Sequence, residues 1–357
     1  MSTAKRRPPI VGRYTGEELA LATRNSGMPL EALRHDVTPP GLHYRLIHFD
    51  IPQAQAADWR LEIAGLVERP MSYTLAELRG MRAKTVRFTM ECAGNGRGQI
   101  VPRYPSVPWI EEGVSTAEWT GVPLPTLLSA AGLKPTAKDI AFHGADCGIE
   151  RGVEHDFARS LVPADALHED VLVAYEMNGA PLPPQHGFPL RLVVPRWYGM
   201  ASVKWLARIE ALAQPFDGLQ QAVGYHFKTE PGTKGTPCTR MRVNSLMVPP
   251  GNPDFYTRAR TVKPGRVAIF GRAWSGEAQI ARVDFGVNGA WRESSLEPRR
   301  YTHAWQEWRA EWDATHGEHE LACRATDAAG NTQPLEPVWD ATGFGNNAVQ
   351  RVRVSVP

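Results

Sequence analysis

The sequence predicts an α+β body followed by a β-sandwich, and three observations carry that prediction. The chain has 357 residues, beyond the size at which one hydrophobic core usually keeps growing, so two domains are expected. Between about residues 41 and 247, short β-rich runs alternate irregularly with helix-like pieces, without the even spacing of a barrel or a doubly wound sheet. After "MVPPGNPDF" the text turns to alternating strands broken by turn signals such as Val-Asn-Gly-Ala and Ala-Gly-Asn.

Taken in order, residues 1–40 read as an N-terminal arm, polar and broken by Gly and Pro. It holds one helix signal, "TGEELALATR", in which Thr15 precedes Glu18 as a capping box requires. The span 41–247 supplies the strand-like runs "WRLEIAGLV", "TVRFTM", "DIAFHG", "LVAYEMNG" and "PLRLVVP", with helices at "TLAELRGM" and "LPTLLSAAGL". The span 248–357, with "GRVAIFGRAW", "IARVDFGVNGAWRES", "AWQEWRAEW", "HELACRATDAAGNT" and "VQRVRVSV", reads as a sandwich of roughly seven strands.

Composition narrows the function. A formal charge of +2 gives no basis for a nucleic-acid partner. No run approaches the roughly 18 apolar residues of a membrane span, and the Arg pair near the start is not followed by a signal-like apolar stretch. A cytoplasmic protein is expected, or a periplasmic one only if an export signal has been removed. Cys92, Cys147, Cys238 and Cys323 are scattered without a C-x-x-C pair, which argues against a disulfide framework.

Two stretches could carry chemistry. In "TVRFTMECAGNGRG", Cys92 ends a β-rich run and is followed by Ala93, Gly94 and Gly96, which let backbone amides approach the sulfur, and by Arg97, which would hold a thiolate or an anion. A core thiol, a nucleophile and a ligand for a heavy metal all fit. In "QHGFPLRLVVPRWYGMASVKWL", His186, Arg191, Ser202 and Lys204 are strung along two expected strands and a Gly-bearing turn. Solvated edge charges are the plain interpretation. Arg191 lies in an apolar run, however, and Lys204 between Val203 and Trp205, so each needs a partner, and a bound phosphate would serve.

Together "ECAGNGR", "VPW" with "GVSTAEWTGVPL", "AYEMNGAPLP", "HGFPLRLVVP" and "GMASVKWL" resemble the sulfite oxidase family of molybdenum-cofactor enzymes, in order and in spacing. "GRAWSG" and "WDATGFGNNAVQRVRV" resemble the dimerisation domain of that family. The resemblance implies a molybdopterin-binding domain followed by an immunoglobulin-like β-sandwich that forms a homodimer. It implies Cys92 as the protein ligand to molybdenum, with His48, Asp146, His186, Arg191, Ser202, Val203 and Lys204 binding the pterin and its phosphate. Arg97 would contact substrate, Trp109 would wall the pocket, and the Tyr225 hydroxyl would bond an oxygen or the substrate.

Two arginines of the family pattern are missing. Leu46 stands where one is expected, beside Arg45, and Thr342 stands at the other. The implied reaction is oxygen-atom transfer, oxidising sulfite to sulfate with an external electron acceptor such as a cytochrome, since no haem motif is present. A small oxyanion or oxide is the implied substrate. The rivals are an S- or N-oxide reductase using the same cofactor, and a non-catalytic dimeric interaction module.

Overall fold

The structure, a computed structural model, describes residues 14–357. The body is built from ten strands, in chain order β1 (Arg60–Gly65), β2 (Met71–Thr74), β3 (Lys84–Glu91), β4 (Val114–Pro123), β5 (Asp139–Glu150), β6 (Val153–Leu161), β7 (Leu172–Met177), β8 (Ala180–Pro181), β9 (Arg191–Val193) and β10 (Leu206–Leu212). They form two sheets. One runs β2-β1-β10-β5-β6, with only the β1–β10 pair parallel. The other runs β3-β4-β7-β8, with β9 also paired to β7, antiparallel throughout.

Local sequence explains the elements. The helix Leu75–Gly80 starts where Thr74 and Glu77 close a capping box, and the helix Leu124–Ala131 stops at Gly132, whose φ of 71° suits a residue without Cβ. On β3 the side chains are buried almost continuously from Phe88 to Glu91, and Thr89 pairs with Thr116 on β4 through a 2.6 Å hydroxyl contact. A strand covered on both faces reads as such a run.

Residues 1–13 of the expected arm lie outside the described residues, and from residue 14 on the arm is not free. Thr15 caps the helix Gly16–Arg24 with the full capping box, but Glu18 is buried against Arg103 at 2.7 Å, and Met28 and Leu33 are wholly buried in the body's core. Apolar side chains at 28 and 33 outweigh the Gly and Pro breaks that suggested an extension.

The second part pairs a four-stranded sheet with a six-stranded one, and seven of these ten strands are longer than two residues. Its own core contains Trp308, Phe285, Val283 and Leu321. Its first strand, Asn244–Met247, pairs with Gly265–Trp274, so the junction expected at 247/248 falls at the end of that strand rather than before it. The two parts share a core, because Leu246, Val248, Trp274 and Trp305 pack into the hydrophobic cluster of the body. Among the described residues no helix is long and apolar enough to cross a membrane.

Candidate active site

Cys92 follows the last residue of β3, and its N–H bonds to the Gly113 carbonyl at 2.8 Å. The turn after it is compact: the Gly96 φ of 78° is left-handed, and a Cβ there would lie 2.8 Å from the Asn346 amide, so glycine is required. Two hollows meet at the thiol. An inner cleft is lined by Asp146, His186, Arg191, Ser202 and Lys204 among others, and an outer cavity of about 600 Å³ by Arg97, Trp109, Thr342 and Phe344 among others. Cys92, Leu46, His48 and Tyr225 line both.

The inner cleft lies where the two sheets meet. Arg191 begins β9; its Nη1 donates to the His186 carbonyl at 3.1 Å, its Nη2 to the Ser202 carbonyl at 3.0 Å, and its guanidinium lies 4.7 Å from the Trp119 ring centroid. Asp146 comes from an irregular stretch of β5, where pairing with β6 slips between His143 and Cys147. Lys204 Nζ donates to the Leu46 carbonyl at 2.7 Å. His186 sits in a one-turn helix, and Ser202 and Lys204 lie in the loop before β10, so of the four residues expected along two strands and a turn only Arg191 lies on a strand. Trp205, with a left-handed φ of 49°, ends that loop and is pinned by its indole N–H on the Pro184 carbonyl at 3.0 Å.

Burial dominates the electrostatics. It lowers His48 to about 3 and His43 to about 4, with Lys204 and Arg191 respectively adding to the effect, so both rings are neutral at neutral pH. It also raises Asp146 and lowers Lys204, each opposed by the charge of the other. Arg191 falls only to about 10 and stays cationic.

Arg97 is buried in the outer cavity wall, donating to the carbonyls of Thr342 at 3.1 Å and Val107 at 3.3 Å and facing the Phe344 ring at 4.9 Å. It makes no ion pair among the described residues. The Tyr225 hydroxyl shares a 2.8 Å hydrogen bond with His48 Nε2, and its ring stacks on Phe344 at 5.1 Å. The Trp109 indole N–H is buried with no hydrogen bond of good geometry, and it lies toward the Cys92 sulfur, whose charged form it favours.

Of the residues given a ligand, cofactor or substrate role from sequence, all but one line these hollows. Val203 is the exception: it lies wholly buried in the core, its N–H on the Ala201 carbonyl and its carbonyl receiving the Leu192 N–H. His43, Tyr44, Met90 and Phe344 also line the hollows and were not read from the sequence. The segment 44–48 carried a signal, since Tyr44, Leu46 and His48 recur with a period of two and share the inner cleft.

Three buried polar atoms on the walls of the inner cleft, Arg191 Nε, Asp146 Oδ1 and His43 Nε2, have no partner in the protein. A cleft holding two cations, a carboxyl group, a hydroxyl and neutral imidazoles beside a thiol suits a polar heterocycle with a phosphate and a soft metal. Fold and site together define a molybdopterin-dependent oxidoreductase.

The comparisons agree. The model for the oxidoreductase molybdopterin binding domain matches residues 48–220, and that for the Mo-co oxidoreductase dimerisation domain matches residues 236–357. Mitochondrial sulfite oxidase of Rattus norvegicus is 32% identical over 93% of this chain and 64% of that protein. The NAD(P)H nitrate reductase of Betula pendula is 30% identical over 93% of this chain, which spans only 40% of that protein's length. The crystal structure of the sulfane dehydrogenase SoxCD from Paracoccus pantotrophus matches with a TM-score of 0.80 at 25% identity, covering 99% of this chain and 93% of that one. The chain belongs to the sulfite oxidase family of molybdenum-cofactor oxidoreductases.

Proposed function

We propose that this protein transfers an oxygen atom to the sulfur of a small oxyanion, with sulfite oxidised to sulfate and the electrons passed to an external acceptor such as a cytochrome. One observation carries the proposal: Cys92, Arg97, Trp109 and Tyr225, a thiol, a guanidinium, an indole N–H and a phenol, line a single cavity. Cys92 is the protein ligand to the metal in this reading. Asp146, His186, Arg191, Ser202 and Lys204 hold the pterin and its phosphate, while His48 holds the Tyr225 hydroxyl at 2.8 Å. The bound cofactor supplies the two-electron redox centre and the oxygen-transfer chemistry.

The protein's share is binding and orientation. Arg97 is held by two carbonyls and one ring, so its charge is fixed in place before substrate arrives, the condition under which a hydrogen bond to developing negative charge is most effective. Trp109 adds a neutral donor. Leu46 and Thr342 contribute no charge, so Arg97 is the buried cation of this cavity, with Arg24 and Arg151 exposed on its lining.

That same observation favours a second reading, the reduction of a neutral S- or N-oxide. Turnover of the holoenzyme with sulfite and an artificial one-electron acceptor, run beside a neutral sulfoxide with a reduced dye, separates the two. Sulfite turnover without sulfoxide turnover is expected; the reverse would replace the oxidative reading with the reductive one.

A further inference from the structure

Behind Tyr225, on β6, lies a buried arginine that neither hollow touches. Arg159 is 2% exposed, its Nε has no partner, and it forms no ion pair among the described residues. A guanidinium removed from water with no carboxylate in ion-pair reach, only the more distant charge of Asp139 favouring it, is costly to keep, so its contacts are informative. There are two, and both lead to the same residue. Its Nη1 donates to the Gln220 carbonyl, which also receives the Tyr225 N–H at 3.3 Å. Its guanidinium carbon lies 5.3 Å from the centroid of the Tyr225 ring.

The carbonyl they share closes the wide turn Gln220–Gly224, whose cap is Tyr225. Such π-type turns are rare and favour functional positions. A wide turn ending in a residue that must present its hydroxyl needs something to hold it, and Arg159 grips it at the backbone and at the ring. The contacts continue beyond Tyr225 through the stacked Phe344 to Arg97, so two guanidinium groups bracket two aromatic rings in one column. Burial lowers Arg159 only to about 10, so the group remains charged at neutral pH.

We infer that Arg159 is a positioning residue of the site: it clamps the turn that carries Tyr225 and supplies, from behind the ring, positive charge that Leu46 and Thr342 do not provide from the cavity side. The inference rests on the role of Tyr225 proposed above. Arg159 touches no substrate and acts through the phenol, in a site whose one buried cavity-wall cation is Arg97.

The test uses Arg159→Met, Arg159→Gln and Arg159→Lys in the full chain, each with 3-fluorotyrosine at position 225 and each also as holoenzyme. Fluorine NMR of the cofactor-free protein reads the ring without any turnover. One line is expected for the parent, a displaced or split line for Arg159→Met and Arg159→Gln, and a line near the parent's for Arg159→Lys. With whichever substrate turns over, Arg159→Met should lower kcat by at least about tenfold with KM changed less than about threefold. Combined with Tyr225→Phe it should cost little more than Tyr225→Phe alone. An unmoved fluorine line, or costs that add with Tyr225→Phe, would overturn the inference. A displaced line in a protein that turns over neither sulfite nor sulfoxide would sink the proposed function and leave the positioning role standing. If Arg159→Met does not fold, the Lys and Gln variants decide: equal behaviour of the two excludes the charge.

Discussion

At Cys92 burial pushes the thiol pKa up and the nearby Arg97 guanidinium pulls it back, so the sulfur sits where binding a cation would draw off its proton. An alcohol is a harder and far less acidic ligand. Cys92→Ser should leave the far-ultraviolet spectrum unchanged and abolish turnover; a folded variant with near-normal activity would end the assignment as metal ligand. Leu46 and Thr342 both face the outer cavity, whereas Arg45 is tied by its backbone to Ser26 and lines neither hollow. Leu46→Arg with Thr342→Arg should therefore lower the sulfite KM by about tenfold, the equivalent of roughly 1.4 kcal/mol. Arg45→Ala should change that KM by less than about threefold; a severe loss there would mean that Arg45 serves the anion. The buried histidines set a stability effect as well. His43 and His48 are held neutral, at about 4 and about 3 against 6.5 unfolded, so the unfolded chain binds more protons below pH 6.5. The stability they contribute is complete above pH 6.5 and is lost as the pH falls toward 4. Urea midpoints of the cofactor-free protein should drop between pH 7 and pH 5, and His43→Gln should flatten that slope.

Strand β3 was legible from its text because a β-rich run ending in Cys-Ala-Gly states both the strand and its stop. The same holds for the capping boxes at Thr15 and Thr74, where side-chain spacing alone fixes the helix start. The turns around Ser202 and Lys204 were not legible. Their conformation depends on the Trp205 indole reaching back to Pro184, a contact that local propensity does not encode. His43 and Phe344 were missed for a related reason, since each joins the site through distant packing; His43 lies in no quoted motif, and Phe344 lies in one that pointed to the second domain rather than to the site. Glu91 shows how an element end can be fixed from afar: its carboxylate accepts from Asn95 at 3.0 Å, Asn244 at 3.0 Å and Trp274 at 2.9 Å, binding the end of β3 to the sandwich. Glu91→Ala would leave three buried donors unmet. It should destabilise the protein by at least about 2 kcal/mol in urea titrations, and a loss within about 0.5 kcal/mol would show that water replaces the carboxylate.

The whole molecule works as one unit despite its two folds. The C-terminal sandwich, matched by a dimerisation domain model, carries the adjacent aromatics Phe255 and Tyr256, 81% and 88% exposed, on a single turn. Light scattering at micromolar concentration should give twice the chain mass, and a monomer would exclude the homodimer. The wall of the outer cavity is shared too: Arg97 bonds to Thr342 across 245 residues of sequence, and Asn346 to the Gly96 carbonyl across 250. A ribosome makes the Cys92 turn long before it makes the segment that braces it. During synthesis the body can collapse early, but the cavity has no wall at 342–346 until that segment has left the exit tunnel. A finished outer cavity therefore belongs after translation, and a chain cut short before residue 340 would carry every ligand proposed here and still lack that wall.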